Sequence, residues 1–87
     1  MSTRKYQLNL PIRLISSSEN GLRICYEDQE QPCWFNLNLS IQAFLIKFTD
    51  DHSYVNVNVT ETKGLLGGTS KKTDVVQVYI NRHYQNL

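Results

Sequence analysis

Apolar and polar residues alternate over much of this chain. Near its start, five apolar residues occupy every second position: Tyr6, Leu8, Leu10, Ile12 and Leu14. Such a run is typical of a strand with one buried face. Pro11, which lies among them, has no amide hydrogen to donate to a neighbouring strand. The sequence therefore predicts a strand that either lies at the edge of a sheet or bends at Pro11.

Four further segments alternate in the same way, and turn-forming residues separate most of them. Their apolar positions are Leu22, Ile24 and Tyr26; Phe35, Leu37 and Leu39; Val55, Val57 and Val59; and Val76, Val78 and Ile80. The run SSSENG before Leu22 predicts a hairpin turn between the first two strands. The pattern as a whole predicts a sheet of about five strands.

The period of the pattern changes in the middle of the chain. Ile41, Phe44, Leu45 and Phe48 are spaced i, i+3, i+4 and i+7, which is typical of one face of a helix. Ser40 is a suitable N-cap. A strand that continues through residues 33–48 is the alternative, but the change of period favours a short helix within residues 40–49.

These elements together predict a single α+β domain over residues 1–87. The order β-β-β-α-β-β corresponds to an antiparallel sheet with one short helix packed on one face. One helix is too small to cover five strands, so the sheet either curls into a half-barrel or is covered by a second copy of the chain. Because a chain of 87 residues forms only a thin core, a homodimer is expected.

Composition narrows the classes of partner and the compartment. The formal net charge is only +1, whereas non-specific binding to nucleic acid depends on many neutralised phosphates. The charges are segregated, with basic residues towards both ends and acidic residues in the middle, which suits docking to a charged protein surface. No apolar stretch resembles a signal peptide or a membrane span, so a cytoplasmic location and reduced Cys25 and Cys33 are expected.

The segment KGLLGGTSKKTD, residues 63–74, is the least regular part of the sequence. A phosphate-binding P-loop requires Gly before the Lys-Thr pair and a helix after it. Here Lys71 precedes Lys72, and a strand is predicted to follow, so the motif is not a P-loop. The segment is predicted to be a long hairpin loop. Leu65 and Leu66 at its tip either fold back over the open end of the sheet or anchor in a partner.

Trp34 is predicted to lie on the face of the sheet opposite Phe35. An exposed Trp there is a candidate contact residue, and the alternative is that it packs against the back of a curled sheet. Asp50, Asp51 and His52 are adjacent in sequence, and adjacent residues in a turn do not converge on one ion. We therefore expect neither a metal site nor a cofactor.

Two alternatives to a protein-binding function are supported by specific residues. The first is binding of nucleic acid through the five basic residues Arg4, Lys5, Lys71, Lys72 and Arg82, with Tyr54 or Tyr79 available for stacking. The second concerns YINRHYQ near the C-terminus, which resembles the basic and aromatic end of small ribonuclease toxins. That resemblance implies catalysis by Arg82 and His83, but the helical hairpin of those toxins is missing from the predicted elements.

The sequence as a whole favours a small protein-interaction module that acts without catalysis. In general type it is similar to the small proteins with which phages and mobile elements bind and block a host protein. The predicted contact residues are Trp34, Lys63, Leu65, Leu66, Lys71 and Lys72. The predicted partner is another protein, and no membrane association is expected.

Overall fold

A computed structural model describes residues 2–29 and 31–84, and strands account for most of them. The elements are β1 (Ser2–Ser18), β2 (Gly21–Asp28), β3 (Gln31–Asn38), α1 (Gln42–Leu45), β4 (Ile46–Thr49), β5 (Tyr54–Lys63) and β6 (Thr69–Asn81). They form a six-stranded sheet in the order β3-β2-β1-β5-β6-β4. All neighbouring strands are antiparallel except β4 and β6, which are parallel. The sheet is therefore mixed, and within the described residues β3 and β4 end it without closing a barrel.

The long strand β1 changes neighbours along its length. Residues 2–11 pair with β5, and residues 12–18 pair with β2. The change occurs at Pro11, directly before a register shift between Ile12 and Leu14. Ile12 donates its amide hydrogen to the Ser53 carbonyl at 3.2 Å, so Pro11 comes just before the ladder passes to β2. Of the two alternatives predicted for this strand, the edge position is wrong, since β1 lies between β2 and β5, and the structure has a change of partner and a register shift next to Pro11, which let one strand serve two parts of a sheet.

The first hairpin is the one predicted from SSSENG. Ser18 pairs with Gly21, and the Ser18 hydroxyl donates to the Gly21 carbonyl oxygen at 2.9 Å. Gly21 has a φ of 145°, and a Cβ at this position would lie 1.9 Å from the Leu37 carbonyl oxygen. Glycine is therefore required here both for its backbone conformation and for the close approach of β3.

The predicted short helix within residues 40–49 is confirmed, but it is shorter than its apolar spacing predicts. Only Gln42–Leu45 are helical, and Phe48 lies in the additional strand β4. Ile41 occupies the N-cap position without a side-chain cap, while the Ser40 hydroxyl donates to the Asn38 side-chain oxygen at 3.0 Å. The chain leaves the helix after one turn because β4 pairs in parallel with β6, so tertiary pairing overrides the local apolar period. The predicted five strands thus become six, and their order becomes β-β-β-α-β-β-β.

The core forms where the two parts of the sheet face each other. Its buried members come from β1, β2, β3, β5 and β6: Ile15, Leu22, Ile24, Tyr26, Leu37, Val55, Val57, Val59, Val78 and Ile80. None of the four residues of α1 is buried. The helix therefore contributes less to the core than predicted: Leu45 of α1 packs against it while only partly buried, and the sheet supplies the buried core residues.

Two hydrogen bonds near the ends of the elements hold this arrangement. Tyr84 donates its hydroxyl hydrogen to the Ile15 carbonyl at 2.8 Å, which ties the segment after β6 to the second part of β1. Tyr6 on the first part of β1 donates to the Glu61 carboxylate at 2.7 Å. This hydrogen bond raises the pKa of Tyr6, because the neutral hydroxyl is the donor.

Candidate interaction surfaces

The hairpin between β5 and β6 has a much shorter turn than the sequence predicts. Gly64 donates its amide hydrogen to the Gly68 carbonyl at 2.7 Å, and Gly67 donates to the Gly64 carbonyl at 3.2 Å. Gly67 has a φ of 85°. These are the features of a hairpin with a short loop over residues 65–67 and glycine in the left-handed position. Residues 69–74 are strand, so the long loop predicted over 63–74 is wrong.

Leu65 and Leu66 form the tip of this hairpin. Their exposed fractions are 89% and 102%, so neither side chain folds back over the sheet. Leucine is not a residue that the turn requires, because the left-handed position is occupied by Gly67. The tip is thus a pair of apolar side chains on a hydrogen-bonded turn, with no packing role in the described chain.

The three lysines of the segment occupy different environments. Lys71 forms an ion pair with Asp28 on β2, with 3.1 Å between the Nζ and Oδ1 atoms, and only 23% of its side chain is exposed. The hydrogen bond to Asp28 raises the pKa of Lys71. Lys63 and Lys72 are exposed. Lys71 therefore links the two parts of the sheet, whereas Lys63 lies in the solvent beside the leucine tip and Lys72 lies in the solvent three residue pairs further from it.

Trp34 lies on the outer face of β3, on the side opposite Phe35. Its exposed fraction is 47%, and the Arg23 guanidinium carbon lies 4.1 Å from its ring centre. It pairs across the strands with Cys25, which in turn pairs with exposed Leu14. These residues form a small apolar patch with a cation–π contact at its side.

The basic residues predicted for nucleic-acid binding do not share one environment. Arg4 lies 4.8 Å from the centre of the Tyr6 ring, and Arg82 pairs with Asp50 at 2.6 Å. Lys5 and Lys72 pair with the same residue of β5, which places them on one face of the sheet. Lys71, next to Lys72 in an extended strand, points to the other face.

The outer face of β5 and β6 carries an aromatic pair. Tyr54 and Tyr79 stack with 4.5 Å between their ring centres and 19° between their planes, and His52 lies 5.4 Å from Tyr54. Beside this pair, Asn56 donates from its side-chain amide to the side-chain oxygen of Asn9 at 2.9 Å. These two asparagines on the outer face therefore bond to each other across the strands.

The basic and aromatic residues near the C-terminus are divided among different contacts. Tyr79 stacks on Tyr54, Arg82 pairs with Asp50, and the Tyr84 hydroxyl bonds to the Ile15 carbonyl. The His83 amide hydrogen is donated to the Asn81 side-chain oxygen at 2.8 Å, while the imidazole is exposed together with the rest of that residue. The hydrogen bonds and ion pairs of these residues thus go to structural neighbours.

The structure also places the possible metal ligands and the two cysteine thiols. Across residues 2–29 and 31–84, no group of three or more His, Cys, Asp or Glu side chains is placed to hold a metal ion. Cys25 is buried and Cys33 is half-buried, and both are free thiols. Cys25 on β2 pairs with Trp34, and Cys33 on β3 pairs with Tyr26. Because adjacent residues of a strand face opposite sides, the two thiols lie on opposite faces of the sheet.

A further apolar surface was missed by sequence reasoning. Leu39, Ile41, Phe44 and Phe48 are all exposed; Phe44 belongs to α1, Phe48 belongs to β4, and the other two lie just before α1. A groove of about 490 Å³ in this region is lined by Leu39, Gln42, Ala43, Ile46 and Phe48. The helical spacing of Ile41, Phe44 and Phe48 predicted a buried face, and Leu39 was predicted on the apolar face of the third strand, so none of them was recognised as surface. We call Leu39, Ile41, Phe44 and Phe48 the edge patch.

None of the described helices has the length and apolar character needed to cross a membrane. Comparison of the chain with protein-family models, with curated proteins and with solved structures gave no match.

Proposed function

We propose that this protein is a small, non-catalytic interaction module that binds another protein through the tip of the β5–β6 hairpin. The observation that carries the proposal is the full exposure of Leu65 and Leu66 on a hydrogen-bonded turn. Two adjacent exposed leucines cost solubility and contribute no packing within the chain. Apolar side chains held in this way are suited to filling a pocket on a partner.

The hairpin is well suited to present these anchors. Its strands are paired up to Lys63 and Thr69, directly beside the turn, so little conformational entropy is lost when the tip is bound. The ion pair between Lys71 and Asp28 further fixes β6 against β2. We therefore assign to Lys71 a positioning role, and to Lys63 and Lys72 direct contact with acidic residues around the pocket.

Trp34 supplies a second contact in this proposal. It is half exposed and supported by Arg23, and Trp and Arg are the residues most enriched at the energetic centres of interfaces. Nucleic-acid binding has less support, because Lys71 and Arg82 of the predicted basic set already pair with acidic side chains.

The direct test is the double substitution Leu65→Ser with Leu66→Ser. Burying one leucine contributes about 1.5–3 kcal/mol, so loss of both should weaken partner binding roughly 10²- to 10⁴-fold. The measurement is affinity capture from the native host, with quantitative mass spectrometry of the partner retained by each variant. Stability should be unchanged, since neither leucine is packed in the folded chain.

Val76→Ser is the matched control, because Val76 is an exposed apolar residue on the same β6 strand but away from the tip. This variant should retain the partner at the wild-type level. If the double substitution at the tip captures the same proteins in the same amounts as the wild type, the tip is not the binding site.

A further inference from the structure

The edge patch lies where the sheet ends. Phe44 and Phe48 are 81% and 56% exposed, and β4 is the last strand of the sheet in the described chain. Lys47 is the only charged side chain on β4. An edge strand with exposed apolar side chains is a template for pairing with another strand, and the shortness of β4 and its single lysine limit that pairing to a few residues.

The backbone pattern identifies which groups of β4 are available. The Thr49 carbonyl accepts a hydrogen bond from the Arg82 amide at 2.8 Å, so Thr49 and, by alternation, Lys47 direct their backbone groups towards β6. Ile46 and Phe48 therefore direct theirs towards the open edge. The Ile46 amide hydrogen already goes to the Gln42 carbonyl. Phe48 is thus the residue of β4 whose amide hydrogen and carbonyl oxygen both face outward.

We propose that a second copy of this chain pairs with this edge, antiparallel and about a two-fold axis that passes beside Phe48. In that register Phe48 lies opposite Phe48 of the second copy, and each forms both hydrogen bonds of an antiparallel pair. Phe48 pairs with Ile80 within the chain, so the two Phe48 rings meet on the core side of the joined sheet. Lys47 lies opposite Thr49 of the second copy.

The competing symmetric register, centred on Lys47, is unfavourable for two reasons. It would place two ammonium groups opposite each other on neighbouring strands. Its nearest hydrogen-bonded pair would join Ile46 to Phe48 of the second copy, but the Ile46 amide hydrogen is already donated to the Gln42 carbonyl. The structure therefore selects one self-complementary pairing.

The exposed apolar area of the edge patch is consistent with burial by a second copy of the chain. With about 200 Å² for a fully exposed phenylalanine, Phe44 and Phe48 together present roughly 270 Å² of apolar surface, and Leu39 and Ile41 add to it. A standard interface buries about 800 Å² on each partner, of which somewhat more than half is apolar. The edge patch supplies a large part of that apolar share. The inference is linked to the proposed function in one respect: if the hairpin tip binds a partner, the dimer presents two such tips.

The first measurement is the oligomeric state of the wild-type protein by sedimentation velocity over a dilution series. A dimer is expected at high micromolar concentration, and Phe48→Glu should raise its dissociation constant at least tenfold because it places two carboxylates at the axis. Leu65→Ser with Leu66→Ser should leave the dimer intact, so failure of the tip proposal and failure of the dimer proposal are distinguishable. If the wild-type protein sediments as a monomer, the proposal that a second copy pairs with β4 is wrong, and the edge is then open to a strand of another protein.

A cross-link tests the register. Opposite residues of a hydrogen-bonded antiparallel pair have Cα atoms about 5.5 Å apart, within the range of about 4.4–6.8 Å that a disulfide spans. In a Cys33→Ser background, Phe48→Cys should form an intermolecular disulfide on mild oxidation. Thr49→Cys is the matched control, because Thr49 lies opposite Lys47 and the two copies of Thr49 are out of reach. Equal cross-linking of both variants would overturn the proposed register.

Hydrogen exchange on the wild-type protein gives a readout that needs no substitution. The Phe48 amide should exchange more slowly as the protein concentration rises, since dimer formation covers it. An exchange rate at Phe48 that does not change with concentration, in a protein that sediments as a dimer, would show that the interface lies elsewhere.

Discussion

Replacing Lys71 with Met should separate the β5–β6 hairpin from β2 and lower the free energy of unfolding. The Lys71 ammonium lies 3.1 Å from the Asp28 carboxylate, and the two side chains are only 23% and 18% exposed. Met has a similar length and apolar stem but no charge, so the substitution leaves Asp28 without its partner in a site with little access to water. The loss then reflects the unpaired carboxylate rather than a cavity.

The expected magnitude lies between two limits. Exposed ion pairs contribute about 0.2–1 kcal/mol, and removal of one member of a fully buried pair costs about 3–5 kcal/mol. The partial burial of this pair therefore predicts a loss of about 2 kcal/mol, with a coupling energy between Lys71 and Asp28 of about 1–2 kcal/mol in a double-mutant cycle with Asp28→Asn.

Urea unfolding followed by circular dichroism measures this loss. With a denaturant slope of about 1 kcal/mol/M for a domain of this size, the midpoint should fall by about 2 M. Lys72→Met is the control, because Lys72 is exposed on the other face of β6 and its loss should change stability by less than about 0.5 kcal/mol. If Lys71→Met is as stable as Lys72→Met, or if the cycle gives no coupling, the ion pair does not hold the hairpin.

Two further predictions concern backbone geometry and pH. Gly21→Ala should lower the stability measured by thermal unfolding by about 3 kcal/mol or more, because its Cβ would collide with a main-chain oxygen of β3. Gly68→Ala is the control: its Cβ meets nothing within 4 Å, so stability should change by less than about 0.5 kcal/mol. Equal losses for the two variants would refute the close approach at Gly21. The pKa of Tyr6 is raised in the folded state by the hydrogen bond to Glu61, so its contribution to stability is complete below the ordinary tyrosine pKa of about 10 and is lost as the pH rises through the higher folded value. Stability measured from neutral to strongly alkaline pH should therefore fall less steeply for Tyr6→Phe than for the wild type, and identical slopes would contradict this.

Much of the sheet could be predicted from the sequence because one face of each long strand is buried. The valines of β5 show the relation most simply, since Val55, Val57 and Val59 are all core residues with polar neighbours between them. At Val76 the same reasoning gave a wrong result. Val57 pairs with Val75, and a register shift follows at Asn56, so Val76 is left exposed where it was predicted to be inward. A bulge changes the parity of a strand, and apolar alternation does not reveal it.

The segment over residues 40–49 shows why local spacing was insufficient. A short apolar run has the same composition in a helix and in a strand, and its fate here depends on the parallel pairing of β4 with β6, about thirty residues further along the chain. The start of β6 was missed for a different reason. Residues 69–74 contain no strongly apolar side chain, because this end of the sheet is closed by the Lys71–Asp28 ion pair in place of apolar packing.

The division of β1 between two partners has a consequence for biosynthesis. Residues 12–18 can pair with β2 as soon as the first hairpin has left the ribosome, but Ser2–Pro11 must wait for β5, since Ser2 pairs with Lys63 and Pro11 with Tyr54. During that interval the growing chain exposes an alternating strand with a free edge, which contains Arg4, Lys5 and Pro11. Charged residues and proline are the means by which edge strands avoid incorrect pairing. Arg4, Lys5 and Pro11 are therefore suited to keep this strand from incorrect pairing before β5 has been made.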